Sequence, residues 1–197
     1  MAPSKINNRR DILLLLLYSP GVMDEFNQPI SGRTRIVKML FLFREEVLRE
    51  FRHGTDINEQ NFYEFFAWDF GPFSTQVYDD LTFFTLRGFI ETDESKEDPL
   101  PESAEEWDKW SREQPSLAVA DEVEAYEEVT FRLTAKGQRF AQGLYDQLSP
   151  AQRQLLKTFK AKLVNAPLRA ILRYVYSNYG SMTTKSKIKE DILGIHA

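Results

Sequence analysis

The sequence predicts a mainly α-helical domain with one small β-hairpin, arranged as a winged helix-turn-helix with an enlarged acidic wing and additional C-terminal helices. Three observations carry that reading. Apolar residues recur at helical spacing in successive segments. Two stretches, 89–91 and 128–133, alternate with a period of two and flank an acid-rich insertion. The order helix, helix, aromatic segment, helix, hairpin is that of a winged helix. Residues 1–180 read as a single domain with the acidic insertion at about 93–127, and residues 181–197 as a basic, loosely ordered tail.

Residues 11–18 form a helix that is apolar nearly all round and therefore buried. Ser19-Pro20-Gly21 stops it. A loop through Asn27, Pro29 and Gly32 leads to a second helix at about residues 34–52. Ile36, Leu40, Phe43, Val47 and Phe51 line one face of it, widened by Met39 and Leu42. Arg35, Lys38, Arg44, Arg49 and Arg52 fall off that face and read as solvated. Phe62, Tyr63, Phe65, Phe66, Trp68 and Phe70 crowd a segment that suits extended, half-buried chain. Gly71-Pro72 reads as a turn, and Ser74 is a good N-cap for a third helix at about 75–87. Its inner face is Val77, Leu81 and Phe84, and Gly88 ends it. It turns Thr75, Gln76, Asp79, Asp80 and Thr82 outward.

Residues 89–91 continue as a short strand. Its partner is 128–133, where Val129, Phe131 and Leu133 alternate with Thr130 and Arg132. Thr134 caps the next helix, which carries Phe140, Leu144 and Leu148. Ser149-Pro150-Ala151-Gln152 supplies an N-cap, a proline at N1 and a glutamine at N3. The helix it opens buries Leu155, Leu156, Phe159 and Leu163 and exposes Arg153, Lys157, Lys160 and Lys162. Pro167 opens a last helix with Leu168, Ile171, Leu172 and Val175, closed by Gly180. In the basic tail, Ile188, Ile192 and Leu193 have the spacing of one more turn.

The net charge of −5 hides a division into three parts. Residues 1–90 carry 10 basic and 12 acidic side chains, residues 91–128 carry 3 and 15, and residues 129–197 carry 12 and 3. A polyanion meets a repulsive middle and an attractive C-terminal third. We read the acidic stretch as a solvated insertion; a second reading has it cover the basic surface or mimic nucleic acid. Ser103 with Glu106 is a capping-box pattern ahead of Trp107 and Trp110. These tryptophans pin the insertion to its own domain or anchor a partner. Trp107 and Trp110, with Glu105, Glu106 and Asp108, are the candidate partner-binding residues.

Composition narrows the chemistry. The absence of cysteine removes disulfides, thiolate metal sites and thiol nucleophiles. His53 and His196 are far apart, and the glycines form no phosphate-cradling cluster. There is neither a zinc-protease helix motif nor a serine elbow. A carboxylate cluster from Asp69, Asp79 and Asp80 is the remaining route to a hydrolase, yet adjacent acids on an amphipathic helix usually form a wet face. We therefore expect no enzyme activity, no cofactor and no metal. The longest apolar run, 12–17, is too short to span a bilayer, and no cleavage site follows it. A cytoplasmic protein without a membrane segment is expected.

Several stretches have a familiar order. Gly32-Arg33-Thr34-Arg35-Ile36-Val37-Lys38-Met39-Leu40-Phe41-Leu42 resembles a G-x-T-R-L-x-K-L-x-F-L helix. Phe70-Gly71-Pro72-Phe73-Ser74, then Val77-Tyr78-Asp79-Asp80-Leu81 and Arg87-Gly88-Phe89-Ile90, resembles a YGPFS, LYDDL, GLI block. Leu133-Thr134-Ala135-Lys136-Gly137 resembles an LTxxG helix entry. Val175-Tyr176 with Tyr179, then Ser186 with Ile188, resembles a closing VYxxYP, SxI pattern, with Gly180 in place of the proline. Together these resemble a prokaryotic winged-helix family akin to the Panacea antitoxin domain, across most of the chain outside the acidic insertion.

The resemblance implies a non-enzymatic accessory protein: such domains serve as antitoxins that neutralise toxins by direct contact, and related proteins lie near restriction, defence and conjugative loci. It assigns no catalytic residues. The expected function is a protein-interaction module with a toxin or defence effector as partner. The alternative is a DNA-binding regulator using Arg33, Arg35, Lys38, Gln76, Arg87, Lys185, Lys187 and Lys189. Arg35 is expected to pair with Asp79 or Asp80.

Overall fold

The computed structural model describes residues 6–93 and 129–194. The chain is mainly helical with small antiparallel sheets, as the hydropathy pattern predicts. Helix α1 (Arg9–Tyr18) buries every residue from Ile12 through Leu17. It starts two residues before the predicted boundary because Asn8 and Asp11 form a capping box. The Asn8 side chain accepts from the Arg10 and Asp11 amides, and the Asp11 carboxylate accepts from the Asn8 amide. Amide donors that a first helical turn leaves unpaired are thereby satisfied.

Strand β1 (Ile30–Ser31) has too few residues to show a period and is absent from the sequence reading. The predicted hairpin is present as β4 (Ile90–Asp93) and β5 (Thr130–Leu133). β5 pairs antiparallel with both neighbours, in the order β1-β5-β4, with Ile30 opposite Phe131 and Ile90 opposite Leu133. Asn27 extends this ladder with its side chain. Its Nδ2 donates to the Leu133 carbonyl (3.1 Å), and its Oδ1 accepts from the Leu133 amide (3.0 Å).

The predicted second helix is α2 (Arg33–Leu42) and α3 (Leu48–Phe51), joined without a break by a π turn at Phe43–Val47. The aromatic segment then folds back on itself. β2 (Phe66–Trp68) and β3 (Gly71–Phe73) make a second hairpin with Phe66 opposite Phe73. Gly71-Pro72 thus lies in a strand, and the turn is at Asp69-Phe70. Gly71 has φ 83°, and a Cβ there would stand 2.8 Å from the Tyr176 ring. Glycine answers both demands.

Helix α4 (Thr75–Leu86) follows, with Val77, Leu81 and Phe84 inward as predicted. Ser74 holds its N-cap position, but the hydroxyl is buried and caps nothing. Thr134 caps α5 (Ala135–Tyr145) by accepting from the Gly137 amide (3.1 Å). α6 (Pro150–Val164) begins with the predicted Ser149–Gln152 capping box. The Gln152 amide also donates to the carbonyls of Phe51 (2.6 Å) and His53 (3.0 Å), which ties α6 to the end of α3. α7 (Leu168–Asn178) buries Leu168, Ile171, Leu172 and Val175, as its spacing predicts.

The tail departs from expectation. The chain turns at Gly180–Thr183 and ends in α8 (Lys189–Leu193), burying Ile188 and Ile192. The Lys187 amide (3.0 Å) and the Ser186 hydroxyl (3.1 Å) both donate to the Asp69 carbonyl. Residues 183–189 are therefore docked on the β2–β3 hairpin rather than loose. Apolar side chains from Ile6 to Ile192 form one continuous core.

Candidate functional surfaces

Two of the basic residues of the predicted nucleic-acid set go to internal work. Arg35 and Lys38, expected in solvent, are 4% and 2% exposed. The Arg35 Nε donates to the Ser31 carbonyl (3.0 Å), and its guanidinium also donates to the carbonyls of Leu163 (3.0 Å) and Ala166. It closes the C-terminal end of α6. Lys160, also expected outside, is fully buried. Its Nζ donates to the Leu17 (2.7 Å) and Ser19 (2.9 Å) carbonyls at the end of α1. Lys38 Nζ donates to the Pro72 carbonyl (2.8 Å).

Arg35 and Lys160 share one reason, and Lys38 serves a strand carbonyl in the same buried setting. The last carbonyls of a helix have no intrahelical donor, and in a packed core water cannot supply one. A long cationic side chain does, with the helix dipole in its favour where it meets a C-terminus. Burial lowers Lys38 and Lys160 to about 7.

Asp80, expected on the outer face of its helix, is fully buried. Rather than Arg35 it binds Arg9 Nε (2.8 Å) and Arg10 Nε (2.7 Å). Tyr63 packs beside this group, and burial first, then the Asp80 carboxylate, push its phenol well above the ordinary value. Asp69 is held by Lys187 (2.6 Å). The three acids that offered a carboxylate cluster are thus separated in role: two are bound by cations on other elements, and Asp79 is exposed.

The remaining predicted cations do not converge. Arg33 is half-buried with its guanidinium 5.8 Å from the Phe131 ring centre. Gln76 accepts from the Glu64 amide (3.0 Å) at one end of α4, while Arg87 is exposed just past the other, about 16 Å away at helical rise. Lys185 is exposed, Lys187 is on Asp69, and Lys189 is half-buried at the start of α8. Arg169 and Arg173 line an open groove of about 540 Å³ on α7 and donate to the Asp191 and Ile192 carbonyls at the end of α8. Trp107, Trp110, Glu105, Glu106 and Asp108 lie outside the described residues.

What the surface offers instead is apolar. On the β2–β3 hairpin, Phe66 packs against Trp68 (5.9 Å) and Phe73 (5.5 Å), and Phe66 and Phe70 are both exposed. Near the end of α4, Phe83, Phe84, Phe89 and Phe140 form a chain of ring contacts that crosses to α5. Leu86 is 82% exposed beside it and Phe140 46% exposed. In the loop after α1, Met23, Asp24 and Asn27 adopt positive φ, and Met23 is 81% exposed.

Sequence reasoning missed these positions. Phe140 shares its helix with the predicted Leu144 and Leu148, but the buried face of that helix is Gly137, Ala141, Leu144 and Tyr145. Leu86 carried a visible signal, an aliphatic residue off the Val77, Leu81, Phe84 stripe.

The quoted motifs meet in space. Lys38 reaches Pro72, Gly71 fits under Tyr176, the Tyr176 hydroxyl bonds Ser186 (2.8 Å), and Phe41 packs edge-on to Tyr179 (5.0 Å). Each is explained by packing. Among the described residues, no group of three or more acids or histidines is placed to hold a metal, and no helix is long and apolar enough to cross a membrane. Compared with family models, curated proteins and solved structures, the chain finds no match.

Proposed function

We propose that this chain is a non-enzymatic protein-interaction module of the cytoplasm, antitoxin-like or an accessory of a prokaryotic toxin–antitoxin or phage-defence system. Its partner is then a toxin or defence effector, and no cofactor is used. The Panacea-like motifs support the reading, since residues such as Lys38, Gly71, Thr134 and Gly137 serve the scaffold that such a family would share. One observation carries it. In a winged-helix frame, α4 stands where a groove-reading helix would stand. It turns Thr75, Asp79, Thr82, Thr85 and Leu86 outward, and its first exposed cation is Arg87 at its end. Phosphate binding needs cations and base reading needs paired donors and acceptors; this face offers an acid and an aliphatic side chain.

The DNA-binding alternative draws on the three-stranded sheet, order β1-β5-β4, with α1 and α2 on either side of β1 and α4 before β4 once α3 and the β2–β3 hairpin are set aside as an insertion, an order that supports reading the chain as a winged helix-turn-helix. A mobility-shift titration with promoter DNA at low salt separates the two. The interaction reading expects no shift. A salt-dependent shift abolished by Arg87→Ala would replace it with the alternative.

A further inference from the structure

We propose that the strip formed by Phe83, Leu86, Phe89 and Phe140 docks an acidic segment of a partner protein that carries apolar anchors. The proposal rests on the protein-interaction reading and names the surface and the chemistry it would use.

The two halves of the strip are joined beneath the surface through the buried Phe84, and they are held in place. Ring centres are 5.4 Å apart for Phe83–Phe84, 5.7 Å for Phe84–Phe89 and 5.6 Å for Phe89–Phe140. The turn between α4 and β4 is pinned from α5. The Thr134 hydroxyl donates to the Gly88 carbonyl (2.7 Å), and Lys136 Nζ donates to the Arg87 carbonyl (2.7 Å). A surface already fixed in this way gives up little ordering entropy on binding.

The rim is cationic. The Arg87 guanidinium lies 5.6 Å from the Phe83 ring centre and the Lys136 ammonium 4.3 Å from Phe89, while Arg10, 4.3 Å from Phe83, has its charge met by Asp80. Arg139 is exposed three residues on from Lys136, on the same side of α5. Against these stand Asp80, already bound by Arg9 and Arg10, and Asp79, exposed one turn before Phe83.

That combination selects a partner chemistry. A purely apolar partner would strip water from Arg87 and Lys136 and return nothing. A nucleic acid would meet Asp79 and the aliphatic Leu86, neither of which contacts a phosphate or stacks well. A segment whose carboxylates reach the rim while its aliphatic or aromatic side chains cover Leu86 and Phe140 satisfies both halves.

The test is fluorescence anisotropy of the full chain with a labelled synthetic peptide. Its glutamates lie on one helical face, with leucine and tryptophan at i, i+3, i+4 and i+7. Saturable binding is expected, weakened about tenfold by Leu86→Ser with Phe140→Ser and also by Arg87→Glu with Arg139→Glu. Phe66→Ser with Phe70→Ser, on the hairpin, leaves it unchanged. These side chains are exposed, and circular dichroism confirms that the variants fold.

Equal binding of a peptide with its glutamates replaced by lysine, or indifference to both variant pairs, overturns the proposal. So does tighter binding to a Trp107→Ser, Trp110→Ser chain, which would show the strip already occupied by the protein itself. If the peptide fails while the chain still forms a stoichiometric complex with a protein partner, this surface is wrong and the interaction reading stands. If no complex forms at all, both fall.

Discussion

Lys160, Arg35 and Lys38 sit where an apolar side chain would pack as well but would leave main-chain carbonyls dry and unpaired. Lys160→Met keeps the length and removes two donors from the end of α1, so a loss of ~1–3 kcal/mol is expected in urea unfolding. Their titration has a definite sign. Below about pH 7 the lysines are charged in both folded and unfolded chains. Between there and the ordinary value of 10.5 the unfolded chain holds protons that the folded chain has released, so stability rises with pH. Tyr63 and Tyr176, raised chiefly by burial and the latter to about 12, reverse the sign above the ordinary phenol value of 10.0. The urea midpoint should therefore climb from pH 7, crest near 10 and fall beyond. Lys160→Met should flatten the climb. A midpoint that falls steadily across pH 7–9.5 would contradict this account of the buried cations.

At the scale of elements, two glycines in α5 make opposite predictions. A Cβ on Gly137 would run into the Phe89 carbonyl, whereas one on Gly143 would meet nothing. Gly137→Ala should cost ~1–3 kcal/mol by overpacking, and Gly143→Ala should gain about 0.5–1 kcal/mol from helix propensity. Thermal melts of the two variants check both signs. The docked tail gives a third test. Tyr176→Phe removes the bond to Ser186, and limited proteolysis should then cut residues 183–189 faster without unfolding the rest. The helices, the β4–β5 hairpin and the Ser149 capping box were legible because periodicity and capping are local signals. The β2–β3 hairpin is local too, but its strands of three residues are too short to show a period. β1 and the docking of Ser186 and Lys187 on Asp69 were not legible, because each depends on a partner about 100 residues away, which no local pattern reports. The buried cations were misread for the same reason: a helical wheel places Lys38 and Lys160 off the apolar stripe but cannot show that another element covers them.

For the whole molecule, the meaning of the charge has changed. The basic C-terminal third suggests an attraction to polyanions, yet Lys160 is internal, Lys187 is on Asp69, and Arg169 and Arg173 serve the end of α8. What remains outward on α4 and α5 is an aromatic and aliphatic strip with a basic rim. On the proposed function, that surface meets a protein rather than a nucleic acid. The most direct test is recovery of the full chain from its native cell after nuclease treatment and a wash at 0.5 M salt, a strength at which phosphate contacts are largely lost. The account predicts a stoichiometric protein partner retained through both steps. Recovery of nucleic acid before the nuclease step, with no protein held after it, would contradict the account.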